Sequence, residues 1–354
     1  MGRTPDQAPA GSSRVGDSDI HFRFKFPAEE PGIHHDYLVY EGGKWAKHGS
    51  SEVGSVPDGL YGDRLTFHVD DGAVRGFASQ GCWVTCRSDL RDPFMYAAPS
   101  SSEVQGNSYF NDVINKTDTR KYIPDSRQRD SWWDFGWDDI SAQDADVIQA
   151  LKDGGVFLDQ WHRRAARGNP IGVSDDMWVL DYRNGDGGKS AYSTNWDGDV
   201  EQPKQMFDPE KTGFAALNFD DVHNGRVPFD SIYYLSDDTM TEFDLNHAWQ
   251  EGDAIPRRYL RTPEGSWSDI AADAAWSNGE WTVALSRLLD TGNSGDKAFR
   301  DRATCDLAFA LYTSATGIRS TTSRSRRSLG LANPPTSSPG GSKASSPTGH
   351  RSPP

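Results

Sequence analysis

The sequence predicts an all-β chain, an antiparallel β-sandwich with short helices in its loops. Three observations carry this. Several short segments alternate apolar and polar residues with the two-residue period of a half-buried strand. Thirty-five Gly and 20 Pro provide for frequent turns. Twelve Trp in a chain of only 35% hydrophobic residues supply large buried areas despite the low mean hydropathy.

The elements follow in order. HFRFKF alternates Phe22, Phe24 and Phe26 with His21, Arg23 and Lys25. RLTFHVDDG does the same with Leu65, Phe67 and Val69 and ends on a DDG turn. A helix is expected with Ser141 as N-cap, Asp144 in its third position, and Val147, Ile148 and Leu151 as its apolar stripe. Gly154 stands just past its end. DDMWVLDYRNGDGG reads as a strand running into an Asn-Gly-Asp-Gly turn. GEWTVALSR puts Trp281, Val283 and Leu285 on one face, and DLAFALY does so with Leu307, Phe309 and Leu311. Short strands that each bury one face pack best as two facing layers. Residues 1–19 and the Ser-, Pro- and Arg-rich tail 320–354 hold too little apolar area to offset ordering entropy and are expected to be disordered. Residues 20–319 form the one folded domain.

Charge excludes one class of partner. The net charge is −15, yet no acidic residue follows Asp306, while Arg319, Arg324, Arg326, Arg327, Lys343 and Arg351 do. Without those six cations the body carries −21, which repels nucleic acid and anionic membranes. No apolar run approaches the roughly 18 residues of a membrane span, and the first 20 residues lack the apolar core of an export signal. Three cysteines are too few for a disulfide framework. Taken alone, the sequence reads as soluble and cytoplasmic.

Candidate chemistry sits in three places. GCWVTCRSDLRDPFM carries Cys82, Cys86 and Met95. Zinc would need a second ligand pair, a catalytic thiol a neighbouring His, and covalent haem a His where Arg87 stands. That leaves a small disulfide or two buried thiols at a strand end. In DQWHRRAARGNP, Trp161 and His162 precede Arg163, Arg164 and Arg167, a basic cluster in an acidic body. These side chains suit carboxylates, such as haem propionates or a substrate acid. Alternatively they form an ion-pair network with Asp159, Asp175 and Asp176. Finally, Met95, Met177, Met206 and Met240 offer thioether sulfur, a soft ligand for haem iron, or simple core packing.

Together GCWVTC, KYIPDSR, WHRRAARGNPIGVSDDMWVLDYR, QPKQMFDPEKTG, GDAIPRRYL and GSWSDIAADAAWSNGEWTVALSRLLDTGN resemble the ethylbenzene dehydrogenase-related family over residues 20–319. This is the haem-binding domain also found as the cytochrome subunit of dimethyl sulfoxide reductase-like molybdoenzymes. The resemblance implies a β-sandwich that holds one b-type haem non-covalently, passes single electrons and is not itself an enzyme. It implies an extracytoplasmic address, where Cys82 and Cys86 would form a disulfide, and a redox partner such as a molybdoenzyme or an iron–sulfur subunit. The iron would be held by a methionine, Met95 as first choice and Met206 as second, and by a C-terminal Lys or His. Arg163, Arg164 or Arg167 would meet the propionates, with Trp161 packed on the porphyrin and His162 close by. The sequence departs from the family pattern at Arg87, where many relatives carry His, and at Arg319-Ser320-Thr321, where the C-terminal ligand is expected. A carbohydrate-binding sandwich is the rival reading, with Trp132, Trp133 and Trp137 as a stacking platform and Asp134, Asp138 and Asp139 beside it. A third reading is a family member that has lost its haem.

Overall fold

The computed structural model describes residues 10–49, 60, 62–85, 122–128, 143–300, 304–312 and 329–330. Its largest sheet contains β1 (Ala10–Val15), β2 (Asp19–Pro27), β5 (Arg64–Asp70), β6 (Leu158–Arg164), β7 (Val173–Val179), β8 (Arg183–Gly185), β17 (Ile270–Ser277), β18 (Glu280–Leu288), β19 (Thr304–Tyr312) and β20 (Leu329–Gly330). Their spatial order is β1-β2-β18-β17-β7-β6-β5-β19-β20, with β8 also on β7, and every pairing is antiparallel.

The two facing layers come from this one sheet curling upon itself. Four strands separate β2 from β5, yet the rings of Phe22 and Phe67 lie 5.2 Å apart, and Phe24 reaches Phe309 of β19 at 5.6 Å. The inner face of the curl holds Phe22, Phe24 and Phe26, Leu65, Phe67 and Val69, Trp281, Val283 and Leu285, and Leu307, Phe309 and Leu311. These are the residues that the two-residue period selects. The all-β reading therefore holds, with one curled sheet in place of two separate ones.

A second sheet joins β3 (Asp36–Glu41), β4 (Lys44–Gly49), β13 (Leu217–Asn218) and β15 (Asp253–Pro256) in the order β13-β15-β3-β4. Its own core includes Leu38, Met206, Phe207 and Ile255. Short ladders pair β9 (Tyr192–Thr194) with β16 (Arg258–Leu260), β10 (Trp196–Asp197) with β11 (Gln202–Pro203), and β12 (Gln205–Phe207) with β14 (Met240–Glu242). A third cluster, with Phe77, Val84, Ile123, Leu158 and Val179, closes one end of the outer face of the curled sheet.

Five local expectations change. The helix spans Ala145–Asp153 with Asp144 rather than Ser141 at its N-cap, in extended backbone and without a side-chain capping bond. The turn after β7 is at residues 180–182, and Asn184-Gly185 already belongs to the returning strand β8. Gly185 is needed there for close approach: a Cβ would sit 1.9 Å from the Trp267 ring. Gly81–Val84 is a 3-10 turn, not a strand end, because Gly81 takes φ 59°, which strands exclude. Ala10–Val15 is a strand within the segment read as disordered; it borrows the edge of β2 for backbone hydrogen bonds and needs little apolar patterning of its own. Likewise Leu329–Gly330, within the tail, pairs with Thr304 and Cys305.

His34 sets an acid limit on this fold. It is 6% exposed, and its Nδ1 lies 2.6 Å from the Tyr37 hydroxyl. Burial, opposed in part by the Val227 backbone, lowers its pKa to about 4. The folded state thus keeps His34 neutral, while the unfolded chain takes a proton near pH 6.5. The stabilisation is complete above pH 6.5 and is lost as pH falls toward 4, on the order of 3 kcal/mol from this one group. His34→Gln, which keeps an acceptor for Tyr37, is expected to flatten stability between pH 6.5 and 4 in urea titrations. A slope equal to that of the parent would assign the acid sensitivity elsewhere.

Candidate functional site

Strands β5, β6 and β19 are buried on both faces, whereas β2 and β18 alternate buried and exposed residues. The outer face over β19, β5, β6 and β7 is therefore covered, although its residues are not those of an apolar core. Cross-strand register places Ala310, Thr66, His162 and Asp175 in one row and Ala308, His68, Gln160 and Met177 in the next. The second row is linked by hydrogen bonds: His68 Nε2 meets Gln160 Oε1 at 3.0 Å, and Gln160 donates to Met177 Sδ at 3.6 Å, although His68 Nδ1 has no hydrogen bond. The first is not so linked. His162 is 5% exposed, yet neither ring nitrogen has a hydrogen-bond partner, and the Thr66 hydroxyl lacks one as well. A buried polar atom without a partner costs about 1–3 kcal/mol, so His162 stands at an energetic cost to the fold.

Arginines ring this histidine. Arg64 stands opposite Arg164 in the β5–β6 register. Arg164 donates to Asp175 and, at 2.9 Å, to the Tyr192 hydroxyl. Arg164 and half-buried Arg167 stack on the Tyr192 ring at 4.7 and 4.8 Å. Arg64 Nη2 lies 3.2 Å from His35 Nε2. Burial first, then the charges of Arg164, Arg183, Arg64 and Arg167, hold the His162 pKa well below its ordinary value. His35 is lowered by burial and by Arg64, Arg167, Arg164 and Arg258. Among the ion pairs here, Asp175 meets Arg164, and Asp36 meets Arg257 and Arg258. The result is a buried, neutral imidazole set among arginines.

The remaining predicted residues lie elsewhere. Strand alternation turns Trp161 and Arg163 to the inner face. Trp161 is fully buried against Phe22 and Phe67, with Arg287 stacked on it at 4.8 Å. Arg163 donates to Asn169 Oδ1 at 2.8 Å and covers the Trp281 ring at 4.2 Å. Met206 belongs to the second core, where its Sδ accepts from the Asp244 N–H at 3.2 Å. So His162, Arg164 and Arg167 converge, and Trp161, Arg163 and Met206 do not join them. Met95, Cys86, Trp132, Trp133, Trp137, Asp134, Asp138 and Asp139 fall outside the described residues. Of the proposed ion-pair network, Arg164–Asp175 is present, while Asp159 and Asp176 pair with Arg287 instead.

The sequence model of the ethylbenzene dehydrogenase family matches residues 14–324. The chain belongs to this family. No curated protein matches it. Ethylbenzene dehydrogenase family membership ties the chain to proteins associated with molybdoenzymes. Among the described residues no helix is long and apolar enough to cross a membrane. In this family member, sequence reading missed Arg64, Arg183, Arg258, His35, Thr66 and Tyr192. Most lie on strands far apart in sequence, brought together by the β5–β6–β7–β8 and β9–β16 pairings. Arg183 and Arg258 carried a signal, as the last residue of WHRRAARGNPIGVSDDMWVLDYR and the second arginine of GDAIPRRYL.

Proposed function

We propose that the chain is a haem b-binding domain that passes single electrons to or from a molybdoenzyme or iron–sulfur partner. The observation that supports this is His162, a buried neutral imidazole with both nitrogens free of hydrogen bonds. The residues fit the group. His162 offers nitrogen to iron, Arg64, Arg164 and Arg167 carry the positive charge that would suit propionates, and Thr66 and Ala310 are the short side chains in its row on the covered outer face. His162 would take the role that the resemblance gives to a C-terminal Lys or His, with Met95 the candidate for the other ligand. When bound, the haem would supply one-electron chemistry. The chain's own residues hold the imidazole neutral, balance carboxylate charge and keep water from the face.

Haem titration of the purified chain, read by the Soret band and the pyridine haemochrome, tests this. The expected result is one haem per chain with a low-spin, six-coordinate spectrum. Absence of a Soret band would leave a family fold without its cofactor. Met95→Ala should turn the spectrum high-spin, and an unchanged spectrum would remove Met95 as a ligand.

A further inference from the structure

Five aspartates from five segments gather around the buried Arg287. Asp159 comes from β6 and Asp176 from β7. Asp186 follows β8, Asp269 precedes β17, and Asp296 lies in the loop after β18. Ligand oxygens of Asp159, Asp176 and Asp296 all lie within 4.8 Å of one another. The inner corner already has its cation: Arg287 contacts Asp159 at 2.7 Å, Asp176 at 2.9 Å and Asp296 at 3.2 Å. The Lys297 backbone N–H adds a bond to Asp159 at 3.1 Å.

The outer corner is different. Asp186 is only 7% exposed, and neither of its oxygens accepts a hydrogen bond. Oδ1 of Asp176 is equally bare, and Oδ1 of Asp296 has the Arg287 ion pair alone. Asp186 faces Asp296 at hydrogen-bonding range, and Asp176 faces Asp269. Lys152, the other cation near Asp186, keeps its ammonium over the Trp178 ring at 3.3 Å without a hydrogen bond. Lys297 is committed to Asp71 at 2.6 Å. Gly295 makes the approach possible, since a Cβ there would meet Asp186 Oδ1 at 2.1 Å. Carboxylates forced together in this way either share protons or share a cation. Exposed Asp269 gives an entry path from solvent.

We propose that Asp176, Asp186, Asp269 and Asp296 bind a calcium ion. The donors are hard oxygens set in irregular loops, which suits Ca²⁺ with its flexible coordination better than the strict octahedron of Mg²⁺. The site would tie the β7–β8 hairpin, the entry to β17 and the loop after β18 together, next to the Arg287 hub.

The test is calorimetric titration of CaCl₂ into the full chain after EDTA dialysis, at pH 7.5, with and without haem. One ion per chain is expected, with a rise in Tm at saturating calcium. Asp186→Asn and Gly295→Ala should each weaken binding at least tenfold. In calcium-free buffer Asp186→Asn should melt no lower than the parent, because it removes a repulsion; this separates lost binding from lost folding. No calcium uptake by the parent chain would mean shared protons and overturn the proposal, as would full affinity in Asp186→Asn. Neither result bears on the haem reading, which has its own spectrum.

Discussion

Alanine at position 162 is expected to weaken haem retention by more than about a hundredfold, because loss of supporting contacts alone costs metal sites 10–100-fold and a direct ligand costs more. The same change is expected to leave the apoprotein folded. The second expectation follows from the bonding of His162. Its side chain makes no hydrogen bond, so its removal breaks none, and it relieves two desolvated nitrogens that each oppose folding. His162→Leu, which refills most of the volume, should raise apoprotein stability by about 1 kcal/mol or leave it equal. The two readings move in opposite directions only if the imidazole is kept for a ligand. A structural histidine would instead lose stability and leave the Soret band in place. Arg164→Gln separates charge from iron ligation: it should weaken haem binding by roughly tenfold, the worth of one charge-assisted contact, without changing spin state. An unaltered Soret titration in His162→Ala would remove His162 from the site.

The fold was readable where burial is one-sided, and the site was hidden where it is two-sided. Phe22, Phe24 and Phe26, or Trp281, Val283 and Leu285, alternate with polar residues because one face of β2 and β18 meets solvent. On β6 the pattern disappears, since Leu158–Arg164 is buried throughout, and DQWHRR then reads only as a basic cluster. The register with β5 and β7 divides it into an inner set, Asp159, Trp161 and Arg163, and an outer set, Gln160, His162 and Arg164. Arg287 carries one further signal in the sequence itself. Arg287 follows Trp281, Val283 and Leu285 at the same two-residue step, so the strand period sends a guanidinium into the core. A charge at such a position must have buried partners. The partners themselves, on strands more than 100 residues earlier, are set by topology and leave no local trace.

Arg287→Met is expected to be the most damaging single substitution in the described fold, costing about 3–5 kcal/mol, the range for removing one partner of a buried ion pair. The guanidinium is 2% exposed. It donates from Nη2 to Asp159 at 2.7 Å and to the Lys297 carbonyl at 3.2 Å, and from Nη1 to Asp176 at 2.9 Å. Methionine matches the aliphatic part and can still pack on Trp161 and Phe299, which Arg287 covers at 4.8 and 5.9 Å. What it cannot do is neutralise three carboxylates that approach within 4.8 Å of one another. The cost is therefore electrostatic, and adding Asp159→Asn to Arg287→Met should recover part of it, whereas Asp159→Asn alone should cost less. Urea unfolding of the four proteins in calcium-free buffer gives this coupling directly. Additive losses would mean that packing, not charge, makes Arg287 essential. The same cycle reaches the site. Arg287 of β18 spans the interior to grip Asp159 of β6 and Asp176 of β7, the two strands whose outer faces carry His162 and Asp175. Loosening that grip should shift the haem spectrum of Arg287→Met toward mixed spin states while Arg287→Lys, which keeps the charge, shifts it less. An undisturbed spectrum in Arg287→Met would show that the outer face holds its geometry without the strap beneath it.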